Sequence, residues 1–156
     1  MSIVLVTGVP NVGKSTYLAN KPAFSRVSFD DWLCNEFRTG LVQAYEKFIE
    51  NKAETQQLWY DHIKTTHRKI REQQLYVEDC LVTVRDRLDF YNALAPVPYA
   101  LLWLQPKDIN VVKDRIIDSC SNGHAGWLSA RMEMLIRAEP PTTFEQERYP
   151  VFTVVV

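Results

Sequence analysis

The sequence predicts an α/β protein with three layers, in which a mostly parallel five-stranded sheet is flanked by helices. Two observations predict this class. Short apolar segments rich in β-branched residues alternate with stretches of helical periodicity, and the connections between them are short. The first strand also runs directly into a glycine-rich turn and a helix. Parallel sheets of this kind bind ligands at the carboxyl ends of their strands.

The predicted elements follow from hydrophobic spacing and from the positions of proline and glycine. Strands are expected over 3–6, 26–29, 75–77, 99–104 and 151–156. Helices are expected over 14–20, 31–39, 86–94, 107–119 and 127–138. The stretch 41–74 lacks proline and glycine and is helical in pattern, with 51–57 either separating two helices or lying on one exposed face.

The composition is that of one ordinary soluble domain, which we expect to span 1–156. The chain is 46% hydrophobic and 24% charged, with a formal net charge of −1. So small a charge gives no overall attraction to nucleic acid or membrane, and any such attraction requires a local patch. No apolar run approaches a membrane span, and the apolar N-terminus lacks the basic lead-in of a signal peptide. We therefore expect a cytoplasmic protein without a membrane partner.

The three cysteines, Cys34, Cys80 and Cys120, are widely separated. Their spacing fits neither a zinc site nor a disulfide framework, so we expect reduced thiols.

Trp127 is expected to pack in the core. Composition and pattern do not predict an oligomeric state.

Residues 2–16 carry the most specific functional signal. Gly8, Gly13, Lys14 and Ser15 fit the pattern G-x-x-x-x-G-K-[ST] between a strand and a helix. Glycines let the backbone fold around a phosphate with its N–H groups pointing inward, and the following helix adds its positive end. Lys14 can reach the β- and γ-phosphates, and the Ser15 hydroxyl can ligate Mg²⁺. The sequence therefore predicts a nucleoside triphosphate site formed by Gly8, Pro10, Asn11, Val12, Gly13, Lys14, Ser15 and Thr16.

Carboxylates follow the second and third predicted strands, at the sheet edge that should also hold the glycine-rich loop. Asp30 can accept a proton from an attacking hydroxyl or hold Mg²⁺ through water, whereas Asp30 and Asp31 can also simply cap the next helix. Glu78 and Asp79 either orient Mg²⁺, bind the acceptor, or only end the strand in a turn. The sequence leaves these alternatives open.

Phosphoryl transfer also needs cations near the developing negative charge. Arg115 precedes a loop that contains two glycines, and Arg131 follows it. A mobile lid could bring either side chain over a triphosphate, while a solvated surface position is the competing interpretation.

A basic stretch over 62–71 has no acidic residue. On a helix, Lys64, Arg68 and Arg71 share a stripe with Tyr60, which suits a nucleic-acid backbone and a stacked base. A solvated face of an amphipathic helix explains the pattern equally well. Arg85 and Arg87 could extend the same patch.

The loop Gly8–Thr16 resembles two families. Its sequence is similar to the first motif of translation-factor-type GTPases. Those proteins also need a D-x-x-G motif and an N/T-K-x-D motif, but the chain has no D-x-x-G, and its nearest N-K-x-D, at 51–54, ends in Glu54. Over nearly the whole chain, the loop, the Asp30–Asp31 pair and Asp79 resemble the phage-type polynucleotide kinase domain. The wider group is the small P-loop kinases, including zeta-toxin-like and gluconate-kinase-like proteins.

This resemblance implies roles for individual residues. Asp30 corresponds to the general base, Arg38 is the nearest candidate for an acceptor-phosphate contact, and Asp79 corresponds to the aspartate ending the third strand. Arg115 corresponds loosely to a lid arginine. The resemblance also implies a P-loop kinase fold with a helical acceptor-side segment over 35–74 and a lid over 119–131.

We therefore expect an ATP- and Mg²⁺-dependent kinase acting on a hydroxyl carried by nucleic acid, either a 5′-hydroxyl or a hydroxymethylated base in DNA. A small-molecule kinase for a nucleoside or sugar is the alternative, and a GTPase or nucleotide-gated binding module is the third. The expected catalytic residues are Lys14, Asp30, Arg115 and Arg131. Ser15 and Asp79 are expected at the metal. The residues expected to bind the acceptor are Asp31, Arg38, Lys64, Arg68, Arg71 and Asp79.

Overall fold

A computed structural model describes residues 2–70, 74–120 and 125–156. The strands in these ranges are β1 (Ile3–Gly8), β2 (Arg26–Ser28), β3 (Leu75–Glu78), β4 (Tyr99–Gln105) and β5 (Val151–Val155). The helices are α1 (Lys14–Leu18), α2 (Phe29–Phe37), α3 (Leu41–Glu50), α4 (Lys52–Ile70), α5 (Val84–Leu94), α6 (Ile109–Ser119), α7 (Ala125–Arg137) and α8 (Thr143–Gln146). Among the described helices, none has the length and apolar character to cross a bilayer.

The strands form one sheet in the order β2-β3-β1-β4-β5, and every neighbouring pair is parallel. The predicted α/β class with five strands is confirmed, and the sheet is parallel throughout. Because all strands run the same way, Gly8, Ser28 and Glu78 end at one edge of the sheet. That edge holds the candidate site.

The two faces of β1 build two separate cores, which gives the fold its three layers. Ile3 and Leu5 face a cluster that contains Trp59 of α4 and residues of α2, α3 and α5. Val4 and Val6 face the opposite cluster, with residues of α1, α6 and α7. All six residues of β1 are buried, as expected for a central parallel strand covered on both faces.

The helical stretch after α2 contains two helices. Asn51 leaves helical geometry, with φ −131° and ψ 47°, and so separates α3 from α4. The prediction of 31–39 for the preceding helix was displaced, because α2 starts at Phe29 and ends at Phe37, where Arg38 adopts a left-handed φ of 51°. The short helix α8 was not predicted; a capping box between Thr142 and Glu145 stabilises it.

Arg87 is not part of a surface patch, which corrects the sequence interpretation. Its Nε donates to Glu145 Oε1 at 2.7 Å, and both side chains are fully buried. A second bond joins Nη2 to Oε2 at 3.1 Å. The guanidinium also lies 5.1 Å from the ring centre of Trp103. This two-bond pair fastens α5 to α8, just before β5.

Candidate active site

The glycine-rich loop has the backbone geometry that its sequence predicts. A Cβ atom at Gly8 would lie 2.7 Å from the carbonyl oxygen of Leu104, so the close approach of β1 to β4 requires glycine there. Gly13 has a φ of 112° and stands just before α1. Asn11 is also left-handed, with a φ of 60°. These conformations turn the loop back over the end of β1.

The side chains of Lys14 and Ser15, at the start of α1, are held by hydrogen bonds within the site. Lys14 is buried, and its ammonium donates to the carbonyl of Val9 at 3.1 Å, so it lies folded against the loop. The Ser15 hydroxyl donates to Glu78 Oε1 at 2.7 Å. The ends of β1 and β3 therefore bring a hydroxyl and a carboxylate oxygen together, both of which are oxygen donors of the kind that Mg²⁺ prefers.

Asp30 lies at the start of α2 and lines the same cleft as the loop. The cap of α2 is the Ser28 hydroxyl, which accepts from the Asp31 N–H at 3.5 Å, so neither aspartate serves as the cap. Tyr45 of α3 donates its hydroxyl proton to Asp30 Oδ1 at 2.7 Å. Burial, and then the charge of Asp30, raise the pKa of Tyr45 well above its usual value, so the phenol keeps the proton it donates.

Arg131 completes this side of the cleft. Its Nη2 lies 3.8 Å from Asp30 Oδ2, and the residue is only 7% exposed. The guanidinium stacks 4.2 Å from the ring centre of Trp127 and lies 5.5 Å from that of Tyr45. Such stacking fixes the orientation of a guanidinium while its charge remains available. Trp127 thus lines the cleft instead of packing wholly in the core.

Arg115 approaches the loop from the opposite flank. Its Nη1 donates to the carbonyl of Asn11 at 3.4 Å, and the Asn11 amide donates to Ser119 Oγ at 3.4 Å. All of these side chains are exposed. The last turns of α6 are therefore fastened to the loop, and a positive charge stands at its rim.

These groups surround one cleft of about 830 Å³. The predicted residues that line it are Asn11, Val12, Gly13, Lys14, Ser15, Thr16, Asp30, Arg115 and Arg131. Gly8 and Pro10 shape the loop from behind and do not line the cleft. Glu78 and Trp127 also line it. A left-handed glycine-rich turn, a lysine and paired oxygen donors fit a nucleoside triphosphate with Mg²⁺.

Asp79 is placed differently from the expectation for a metal ligand. It is buried behind the cleft, where the indole N–H of Trp59 donates to its Oδ2 at 3.2 Å. Burial, and then the nearby charge of Asp30, raise the pKa of Asp79 to about 7. Asp79 lines a second cavity of about 380 Å³ beside the cleft. The carboxylate that meets Ser15 is Glu78.

The other predicted acceptor residues that the structure describes line neither cavity. Asp31 is exposed, and Arg38 follows the last residue of α2, about 12 Å along the helix axis from Asp30. Lys64 and Arg68 line neither cavity. They follow Trp59 on α4, which runs toward the opposite edge of the sheet, where β3 begins. Arg71 falls outside the described residues.

Sequence reasoning missed Tyr45 and the role of Trp127. For Trp127 a signal exists, because Trp127 and Arg131 are four residues apart on a predicted helix and so share one face. For Tyr45 the sequence offers none, because its contact with Asp30 depends on how α3 folds back onto α2.

No protein-family model matches the chain, and no curated protein matches it. Solved structures do resemble it. A gluconokinase from Sinorhizobium meliloti superposes with a TM-score of 0.57 at 16% identity, covering 99% of this chain and 82% of that one. A sugar kinase from Janibacter sp. HTCC2649 gives 0.59 at 16%, covering 99% and 85%. Kti12 from Chaetomium thermophilum, in complex with ADP-AlF3, gives 0.60 at 15%, covering 98% and 88%.

The chain has a P-loop kinase fold. At these identities the likeness concerns the fold, and it confirms only the fold that the resemblance implies, that of small P-loop kinases. None of these three structures is a polynucleotide kinase, so the finer resemblance to the phage-type domain is not supported by them.

Proposed function

We propose that this protein is an ATP- and Mg²⁺-dependent kinase that phosphorylates a hydroxyl of a small molecule. One observation carries the proposal. Asp30, held by Tyr45 at 2.7 Å and Arg131 at 3.8 Å, lines the same cleft as Lys14 and Ser15. A carboxylate base thus faces a phosphate loop across a space that a triphosphate and an alcohol can share.

Each group has a chemical task in this proposal. ATP supplies the phosphoryl group, and Mg²⁺ neutralises part of its charge. The loop amides and the Lys14 ammonium would bind the β- and γ-phosphates. Ser15 and Glu78 would hold the metal, in place of the Asp79 assignment, because Glu78 already meets the Ser15 hydroxyl.

Asp30, Arg131 and Arg115 would handle the proton and the negative charge that develops during the reaction. Asp30 would accept the proton of the acceptor hydroxyl. Arg131, fixed against Trp127, would stabilise the charge that builds on the transferred group, with Arg115 at the loop rim.

The acceptor is better assigned to a small molecule than to nucleic acid. Lys64 and Arg68 are the basic residues that suggested a polynucleotide, yet they line neither cavity, and α4 carries them away from the phosphate loop. The similarity in fold to a gluconokinase and a sugar kinase also supports a small acceptor. DNA hydroxyls are included among the acceptors in the assay described below.

Replacing Asp30 with asparagine tests the proposed base. Asp30→Asn keeps the shape and an acceptor for the Tyr45 hydroxyl, but it cannot take a proton at neutral pH. We expect kcat to fall by about 10²- to 10⁴-fold, with ATP affinity changed less than about threefold. Asp31→Asn, one residue away and exposed, is the matched control and should retain activity.

The acceptor is identified by incubating the protein with radiolabelled ATP and a panel of alcohols. The panel holds nucleosides, sugars, sugar acids, DNA with 5′-hydroxyls and DNA with hydroxymethylated bases. Label on a small alcohol supports the proposal, and label on DNA alone rejects the small-molecule assignment. Full activity of Asp30→Asn would remove Asp30 from its proposed role.

A further inference from the structure

The second cavity lies directly beside the cleft, and Cys80 lines both. Tyr45 links the second cavity to the cleft. It lines the second cavity, and its hydroxyl donates a hydrogen bond to Asp30, which lines the cleft. Phe29, the neighbour of Asp30 in sequence, also lines this cavity. A molecule lying in the second cavity is therefore close to the proposed base.

Aromatic residues line part of the second cavity. Five aromatic residues line it: Phe29 and Trp59, which are buried, and Tyr45, Phe48 and Tyr60, which are half-buried. Three of its five charged residues, Lys52, Glu133 and Arg137, are exposed, whereas Asp86 is half-buried and Asp79 is buried. The uncharged polar residues that line the cavity include the half-buried Gln56.

We infer that the acceptor is an alcohol that carries a planar heteroaromatic ring, and that this ring occupies the second cavity. The inference rests on the proposed kinase function and names its substrate class. The half-buried aromatic residues Tyr45, Phe48 and Tyr60 can give a flat ring stacking partners. The amide of Gln56 can donate and accept at once, as the edge of a heteroaromatic ring requires.

A polyhydroxylated sugar matches these walls poorly. Each buried hydroxyl of a sugar needs a hydrogen-bond partner, and a hydroxyl facing a ring would be left without one. A cavity of about 380 Å³ is within the usual range for small ligands. The ring is therefore the part that the cavity selects, and the hydroxyl is the part that reaches Asp30.

The reaction balances without any further reactant. The acceptor oxygen forms a bond to the γ-phosphorus while the bond from that phosphorus to the β–γ bridging oxygen breaks, the hydroxyl proton passes to Asp30, and ADP leaves with the bonding electrons.

The test compares ring-bearing alcohols with polyols. Thymidine, cytidine, adenosine, guanosine and pyridoxine are assayed beside glucose, gluconate, shikimate and glycerol, by ADP release and by chromatography of the phosphorylated product. We expect at least one ring-bearing alcohol to exceed every polyol in kcat/KM by about a hundredfold or more.

Two adjacent glutamines provide a matched pair of variants. Gln56 lines the cavity, whereas Gln57 is exposed and donates to Asp61 at 3.0 Å. Gln56→Ala should raise KM for the ring-bearing alcohol about three- to tenfold with kcat nearly unchanged. Gln57→Ala should change neither. Phe48→Leu, with Phe37→Leu as its control outside the cavity, tests the stacking surface in the same way.

Calorimetry separates this inference from the proposed function. The ring-bearing compounds are titrated into the protein with a non-hydrolysable ATP analogue present. Binding that Gln56→Ala weakens and Gln57→Ala does not would support the cavity assignment even if no phosphate is transferred, in which case only the kinase proposal fails. Phosphorylation of polyols alone, or no binding of any ring-bearing compound, overturns the inference.

Discussion

The buried carboxyl of Asp79 makes the stability of the fold depend on pH in a direction opposite to that of most carboxyl groups. Asp79 is 8% exposed and accepts one side-chain hydrogen bond, from Trp59, at 3.2 Å. Burial and the charge of Asp30 raise its pKa from 3.8 to about 7. Ionisation of Asp79 is therefore more costly in the folded chain than in the unfolded one.

The sign and size of the effect follow from proton linkage. Between these two pKa values the folded chain binds the proton that the unfolded chain has lost, so stability falls as pH rises through this range. The penalty is complete above about pH 7. The shift corresponds to an upper limit of roughly 4 kcal/mol. About half of that should develop between about pH 5.5 and about pH 8.

Asp79→Asn removes the ionisation and keeps an oxygen that can accept from Trp59. We expect the variant to be more stable than the wild type at about pH 8, with the difference decreasing by about 2 kcal/mol by about pH 5.5. Urea unfolding followed by circular dichroism at several pH values measures this difference. Burial lowers the pKa values of His62 and His67, so these two residues make the folded state more stable as pH rises. Because the wild type and the Asp79→Asn variant share both histidines, this contribution cancels in the difference between them.

Asp31→Asn is the control, because Asp31 is exposed. It should follow the wild-type pH profile. If Asp79→Asn also runs parallel to the wild type across this pH range, Asp79 is ionised in the fold without penalty, and the argument from its burial is refuted.

Three further perturbations have defined outcomes. Tyr45→Phe removes the 2.7 Å bond to Asp30 and should lower kcat by roughly tenfold while ATP affinity is kept, which steady-state kinetics measures. Glu78→Gln should raise the Mg²⁺ concentration for half-maximal activity by at least about tenfold, and an unchanged Mg²⁺ titration would contradict the metal assignment. Arg87→Ala leaves Glu145 buried without its cation and should cost about 3–5 kcal/mol in unfolding experiments, with Glu145→Ala recovering part of the loss in the double variant.

The sequence was most informative where local pattern determines structure. The loop with Gly8, Gly13 and Lys14, the order of strands and helices, and the parallel sheet all follow from spacing of a few residues. Such spacing reports backbone requirements, as at Gly8, where a Cβ would collide with β4.

The assignment of carboxylates at the end of β3 required knowledge of which face each one joins. Leu75 and Val77 face the core that contains Trp59, and side chains alternate along a strand. Glu78 therefore falls on the other face, beside α1 and Ser15, while Asp79 returns to the side of Trp59. The alternation of side chains along β3 could therefore have favoured Glu78 over Asp79 as the metal ligand.

Long-range contacts were beyond the reach of spacing. Arg87 reads as a surface cation beside β3, but its partner Glu145 lies 58 residues later in a helix of one turn. Tyr45 likewise depends on how α3 folds onto α2. Pairs of this kind exist only once the chain has folded, so no local pattern announces them.

The bond between the Lys14 ammonium and the Val9 carbonyl means that the lysine is ordered before any nucleotide arrives. A lysine recruited from solvent would lose up to about 2 kcal/mol of side-chain entropy on binding. Here most of that loss belongs to folding, because the Val9 carbonyl already holds the ammonium. Under the proposed function, a nucleotide would replace this carbonyl with a charged phosphate oxygen, and its affinity would increase with the negative charge it brings to that position.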